Sequence, residues 1–124
     1  MSERFNDALL NAVDIALGSI GESCKQALYF HMKATFHIER TEIPEKIEGF
    51  DDALRSIFKD GAVFLEKLIV ATLCEDLKVK FDTKESFDFT EAISKIHNMV
   101  SERESFLIVH DSAEAAMVEG EARR

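Results

Sequence analysis

Residues 62–77 read AVFLEKLIVATLCEDL and form the apolar centre of the chain. On a helix of 3.6 residues per turn, their apolar side chains cover most of the circumference. A helix that is apolar on nearly all sides is usually buried among other elements. We therefore predict that residues 62–77 form the central helix of an all-α fold.

Four further helices are predicted around this segment. Ser19 with Glu22, and Asp88 with Glu91, have the spacing of capping boxes and are predicted to start the second and fifth helices. Gly61 is predicted to lie just past the end of the third helix, where glycine adopts a left-handed conformation at little cost. The expected fold is a compact bundle of about five helices with a short C-terminal tail. Apolar residues recur at spacings of three and four over residues 3–17, 19–36, 50–59 and 89–103.

The chain of 124 residues has the length of one domain. We predict a single helical domain over residues 1–110. Residues 111–124 are predicted to form a frayed acidic tail, because few apolar residues remain there. The apolar run at 106–109 is predicted to continue the fifth helix or to dock as an apolar segment, since one strand without a partner is marginal.

The charge and cysteine content narrow the range of partners and compartments. The net charge of −9 argues against nucleic acid as a partner, since such binding uses clustered basic residues. No apolar run approaches the roughly 20 residues of a membrane span, and no secretory signal is visible, so the expected location is the cytoplasm.

Cys24 and Cys74 lie in apolar helical patterns and are interpreted as two reduced core thiols. A disulfide between them remains an alternative that only their distance in the fold decides.

The sequence offers no catalytic, metal or cofactor motif. Among the four histidines, only His110 has a carboxylate at helical spacing, Glu114. Phosphate loops, nucleophile elbows and dinucleotide fingerprints are absent. We therefore expect no enzyme activity and no cofactor. One alternative stays open, in which Lys25, His31 and Glu66 meet across helices as an acid–base group.

One part of the chain, residues 21–77, resembles a known family. The resemblance is carried by Gly21-Glu22-Ser23, Lys25, Ala27-Leu28-Tyr29-Phe30, Glu42-Ile43-Pro44-Glu45, Phe50, Ala53-Leu54, Ile57-Phe58, Gly61-Ala62 and Leu65-Glu66-Lys67-Leu68-Ile69. This pattern is similar to a small archaeal family of helical domains labelled Nitrosopumilus output domain. The similarity continues more weakly as far as Leu77. The resemblance implies a short helical module that acts in signalling output or interaction, and it brings no catalytic residues.

Two functions are compatible with these features. The first is a non-catalytic interaction or signal-output module that forms a homodimer or binds a protein partner through apolar helix faces. The predicted interface residues are Tyr29, Phe36, Phe106 and Ile108. The second is a small apolar-ligand-binding domain, because ten phenylalanines could line a pocket between helices.

Overall fold

Helices make up nearly all of the chain that the structure describes. The structure is a computed structural model, and it describes residues 3–81 and 87–117, with side chains described as far as residue 103. Within those two ranges there is no strand. The predicted all-α bundle of about five helices is therefore confirmed. The elements are α1 (Glu3–Gly18), α2 (Glu22–Phe36), a 3₁₀ helix (Arg40–Glu45), α3 (Ile47–Phe58), α4 (Gly61–Leu77) and α5 (Phe89–Met117).

Helix α4 is the centre of the bundle, as predicted. It packs against α1, α3 and α5. Its buried side chains include Leu65, Ile69 and Leu73, and α1 contributes an apolar face that runs from Phe5 to Leu17. In the described ranges no helix, α4 included, is both long and apolar enough to cross a bilayer.

Two of the predicted helix starts differ in their outcome. Asp88 caps α5 as predicted, because its Oδ1 accepts a hydrogen bond of 3.1 Å from the backbone N–H of Glu91. Ser19 does not cap α2. Its hydroxyl instead donates a 2.6 Å hydrogen bond to the carbonyl of Ala16, one of the carbonyls that the end of α1 leaves without a helical partner. Helix α2 begins after Gly21 without a side-chain cap.

The turn between α3 and α4 is tighter than predicted. Gly61 does not terminate α3, because it is the first residue of α4. Lys59 takes the positive φ of 53° at this turn. The prediction for Gly61 was therefore wrong by two positions along the chain.

Helix α5 extends well beyond its predicted end at Arg103. The Arg103 guanidinium donates hydrogen bonds to the carbonyls of Leu77, at 2.7 Å, and Lys78, at 3.3 Å. These carbonyls lie at the end of α4, where helical partners are missing. Past this contact α5 continues to Met117, a further length of about 20 Å at 1.5 Å per residue. Residues 106–109 are therefore helical, and residues 118–124 of the predicted tail lie outside the described residues.

The inward face of α2 is not the one predicted. The sequence pattern places Cys24, Ala27, Leu28, His31 and Thr35 along one stripe of this helix, but Cys24, Ala27 and Thr35 are exposed. The buried residues of this helix are Leu28 and Met32. Of the two predicted core thiols, Cys74 is confirmed as buried and Cys24 is exposed, and both are free.

Candidate interaction surface

An aromatic side chain stands among small residues on the outer side of α2. Phe30 is 74% exposed, and Ser23, Ala27 and Ala34 are exposed as well. We call these four residues the α2 outer face, because their spacing of three and four places them on one stripe of the helix. Burying a side chain as large as Phe30 contributes roughly 1.5–3 kcal/mol, and the folded chain leaves that contribution unused.

Charge distinguishes α2 from the other helices. It carries two lysines and one glutamate, a net charge of +1 in a chain of net charge −9. Each of the other four α-helices has at least two more acidic than basic residues. A second acidic molecule therefore meets the least repulsion when it approaches α2.

The interface residues predicted from the sequence lie elsewhere. Tyr29 and Phe36 are partly buried and pack against the core of their own chain. The Phe36 ring also stands edge-on to His31, with centroids 5.8 Å apart. Phe106 and Ile108 lie in α5, but their side chains are outside the described residues.

Tyr29 belongs to a polar cluster that joins α1, α2 and the 3₁₀ helix. Its hydroxyl donates a 2.5 Å hydrogen bond to Oδ1 of Asp14. The Arg40 guanidinium donates two more, from Nε to Oδ1 at 3.1 Å and from Nη2 to Oδ2 at 2.6 Å. This is the bidentate arrangement that gives an Arg–carboxylate pair its strength.

Electrostatics within this cluster favour the charged carboxylate. Burial alone would raise the pKa of Asp14, but the hydrogen bonds from Arg40 and Tyr29 outweigh it and lower that pKa below its usual value. Burial and the nearby Asp14 carboxylate raise the pKa of the Tyr29 hydroxyl. Tyr29 is therefore a neutral donor that holds α2 onto α1.

A groove of about 580 Å³ lies between the end of α2, the 3₁₀ helix, the start of α3 and the first turn of α5. The residues that line it are apolar in part and include the charged residues Glu45, Lys46 and Glu48. The apolar wall residues are Phe36, Ile38, Pro44 and Ile47.

Glu66 is a fully buried acid in α4. Its Oε1 lies 3.4 Å from Nη2 of Arg55, and its Oε2 has no hydrogen-bond partner within the part of the chain that is described. Arg55 also donates from Nε to Oδ1 of Asp51 at 3.0 Å. Burial, followed by the nearby Asp51 carboxyl group and its charge, raises the pKa of Glu66 to about 9 against the opposing effect of Arg55. This shift favours the protonated form of Glu66.

The acid–base group left open by the sequence is not assembled. Lys25 pairs with Glu22 at 3.4 Å. Nδ1 of His31 lies 3.5 Å from the Thr35 hydroxyl, and the partners of Glu66 come from α3. Among the described side chains, no group of three or more His, Cys, Asp or Glu residues is arranged to hold a metal ion.

The sequence singled out Glu66 only as a member of an acid–base group, and it did not indicate that Phe30 is exposed. Phe30 lies on nearly the opposite side of the helix from Leu28, which is a signal that both cannot face the core. Tyr29 and Phe36 weaken this signal, because they extend the apolar surface around the helix. Nothing local to Glu66 indicates burial, because its burial depends on how α3 packs.

Comparisons with known proteins gave no relative: no family model matches the chain, and neither the curated proteins nor the solved structures contain a match. The resemblance of residues 21–77 to a helical output domain stays a prediction.

Proposed function

We propose that this protein is a non-catalytic helical interaction module that forms a homodimer through the α2 outer face. The observation that carries the proposal is Phe30, 74% exposed on a stripe of small residues. We further propose that the module works in the cytoplasm and passes a signal by contact, in keeping with the resemblance to an archaeal output domain.

A second copy fits this face because the face is self-complementary. Two α2 helices packed antiparallel across a two-fold axis would place Phe30 of each copy over Ala27 of the other. The small side chains at Ser23, Ala27 and Ala34 would let the helix axes approach to the ~8–10 Å typical of packed helices. An isologous contact of this kind closes on itself and gives a dimer rather than a filament.

Charge complementarity supports the same occupant. In an antiparallel pair, Glu22 at the start of each α2 comes close to the partner's Lys33 near the end of the other helix. The helix dipoles also run in opposite directions, which is favourable. The net charge of −9 disfavours contact through the acidic faces of the other helices.

Replacement of Phe30 by serine is expected to weaken self-association strongly. Truncating an aromatic anchor at the centre of an interface commonly costs 2 kcal/mol or more, so the dimer dissociation constant should rise by roughly 30-fold or more. Sedimentation velocity over a range of protein concentrations measures it. The matched control is Phe64→Ser, because Phe64 is 68% exposed but lies on α4, and this variant should dissociate like the wild type.

Three outcomes would overturn the proposed interface. One is a wild-type protein that stays monomeric at all concentrations. Another is equal weakening by Phe30→Ser and Phe64→Ser. The third is a dimer that Phe30→Ser leaves intact and Ile108→Glu disrupts, which would place the contact at the apolar run 106–109 instead.

A second candidate function rests on the groove beside the 3₁₀ helix, which has the volume of a small-molecule site. In this alternative the protein binds a small apolar ligand against Phe36 and Ile47. Decanoate, below its micellar concentration, should then raise the melting temperature by mass action. The variant Ile47→Glu should remove that rise, and an unchanged wild-type melting temperature would exclude the groove as a site for such chains.

A further inference from the structure

The junction of α3, α4 and the start of α5 contains more acidic than basic groups. Glu66 is fully buried, and Asp51 approaches it from α3. Arg55 is the cation that contacts both carboxyl groups, at 3.4 Å and 3.0 Å. One guanidinium therefore faces two acids, and one oxygen of Glu66 has no protein donor among the described residues.

We propose that Asp51 and Glu66 form an acid pair that holds one proton, and that this proton couples the packing of α3 on α4 to pH. The proton resides on Glu66, which is fully buried, and the Asp51 carboxylate beside the shared Arg55 guanidinium disfavours its loss. When the proton is lost to water, two carboxylates face each other in a buried site, and the contact between α3 and α4 is weakened.

The surroundings of the pair leave few groups that could compensate. The charged groups that act on Glu66 are Asp51 and Arg55 from α3 and Asp88, which caps the start of α5. Asp88 adds a further negative charge. On the α1 side of α4, the buried side chains of α1 are all apolar. Among the described residues, a negative charge on Glu66 therefore meets no cation other than Arg55.

The direction of the pH effect follows from proton binding. The folded state keeps the Glu66 proton up to a pH of about 9, whereas an unfolded chain releases it near pH 4.5. Between these values the folded state binds one more proton than the unfolded state. The unfolding equilibrium constant should then rise by up to about tenfold per pH unit from this residue alone.

The test uses the full chain and two measurements. First, ¹³C NMR of labelled glutamate carboxyl groups from pH 4 to pH 11 should show one signal that titrates far above the others, and Glu66→Gln should remove it. Second, urea unfolding at several pH values between 5 and 8 should show a pH slope that is smaller by one proton in Glu66→Gln. The control Glu75→Gln, at an exposed position of α4, should keep the wild-type slope.

Hydrogen exchange locates the effect. As the pH rises from 6 to 9, amides of α3 should gain exchange rate relative to amides of α1 in the wild type, and this ratio should stay constant in Glu66→Gln. If Glu66→Gln does not fold, Asp51→Asn replaces it and should lower the midpoint of the high-titrating signal. The proposal is overturned if every glutamate titrates below pH 6, or if the wild type and Glu66→Gln have equal slopes.

Discussion

Replacement of Glu66 by methionine is expected to stabilise the fold by about 2 kcal/mol at pH 7. The wild-type chain must take up a proton at Glu66 when it folds, because the pKa there is raised from 4.5 to about 9. At 1.36 kcal/mol per pH unit, this uptake costs about 3 kcal/mol at pH 7. Methionine has a similar length and helix propensity, and the loss of the hydrogen bond from Arg55 to Glu66 offsets about 1 kcal/mol of this gain in stability.

The sign of this effect should change with pH. Below pH 4.5 the unfolded chain also keeps the proton, so the uptake costs almost nothing, and Glu66→Met should be no more stable than the wild type. Urea denaturation at pH 4 and pH 7 measures both differences. A matched control is Glu75→Met on the exposed side of α4, where a change within about 0.5 kcal/mol is expected. Equal destabilisation by Glu66→Met at both pH values would show that folding does not raise the pKa of Glu66.

The elements that sequence reasoning predicted well are those with one unambiguous apolar stripe. Helix α1 is an example, because all six apolar residues of its predicted inner face, from Phe5 to Ala16, are buried. Helix α4 could be assigned to the centre for a related reason, since its apolar residues leave too narrow a polar face for a surface helix.

Helix α2 was difficult because its apolar residues surround the helix. Leu28, Tyr29 and Phe36 lie on one side, and Ala27 and Phe30 on the other. Periodicity alone gives both sides similar weight. The structure resolves the choice through tertiary contacts, in which Leu28 enters the core and Tyr29 is held by Asp14. The exposed Phe30 and the proposed interface follow from that choice, so neither could be read from the sequence.

Long-range polar contacts were the second source of error. Asp14 and Arg40 are 26 residues apart, and no local spacing links them. Arg55 on α3 contacts Glu66 on α4 across the tight turn between these helices. The sequence pattern does not predict this contact, because it does not specify how the two helices are oriented. Buried polar groups of this kind depend on how whole helices are placed, which a helical pattern does not specify.

The polar cluster around Asp14 provides the other large expected effect. Asp14→Ala should destabilise the protein by about 2 kcal/mol at pH 7, because it removes three hydrogen bonds and leaves Arg40 and Tyr29 without their shared acceptor. The expected loss of stability is no larger because the Asp14 and Arg40 side chains are partly exposed, which weakens the ion pair. For a domain of this size the melting temperature should fall by roughly 6–10 °C, which calorimetry measures. Asp7→Ala, at an exposed position of the same helix, is the control and should change little.

The pH dependence of this loss distinguishes an ion pair from simple packing. The pKa of Asp14 is lowered in the folded state. The contribution of the Asp14 carboxylate to the free energy of unfolding is therefore complete above its ordinary pKa of 3.8, and it declines as the pH falls through the lowered pKa. The stability difference between wild type and Asp14→Ala should therefore shrink below pH 4. A double-mutant cycle with Arg40→Ala should give a coupling energy of about 1 kcal/mol. Additive single effects, or a difference that is the same at pH 3 and pH 7, would mean that Asp14 stabilises the joint of α1, α2 and the 3₁₀ helix without its charge.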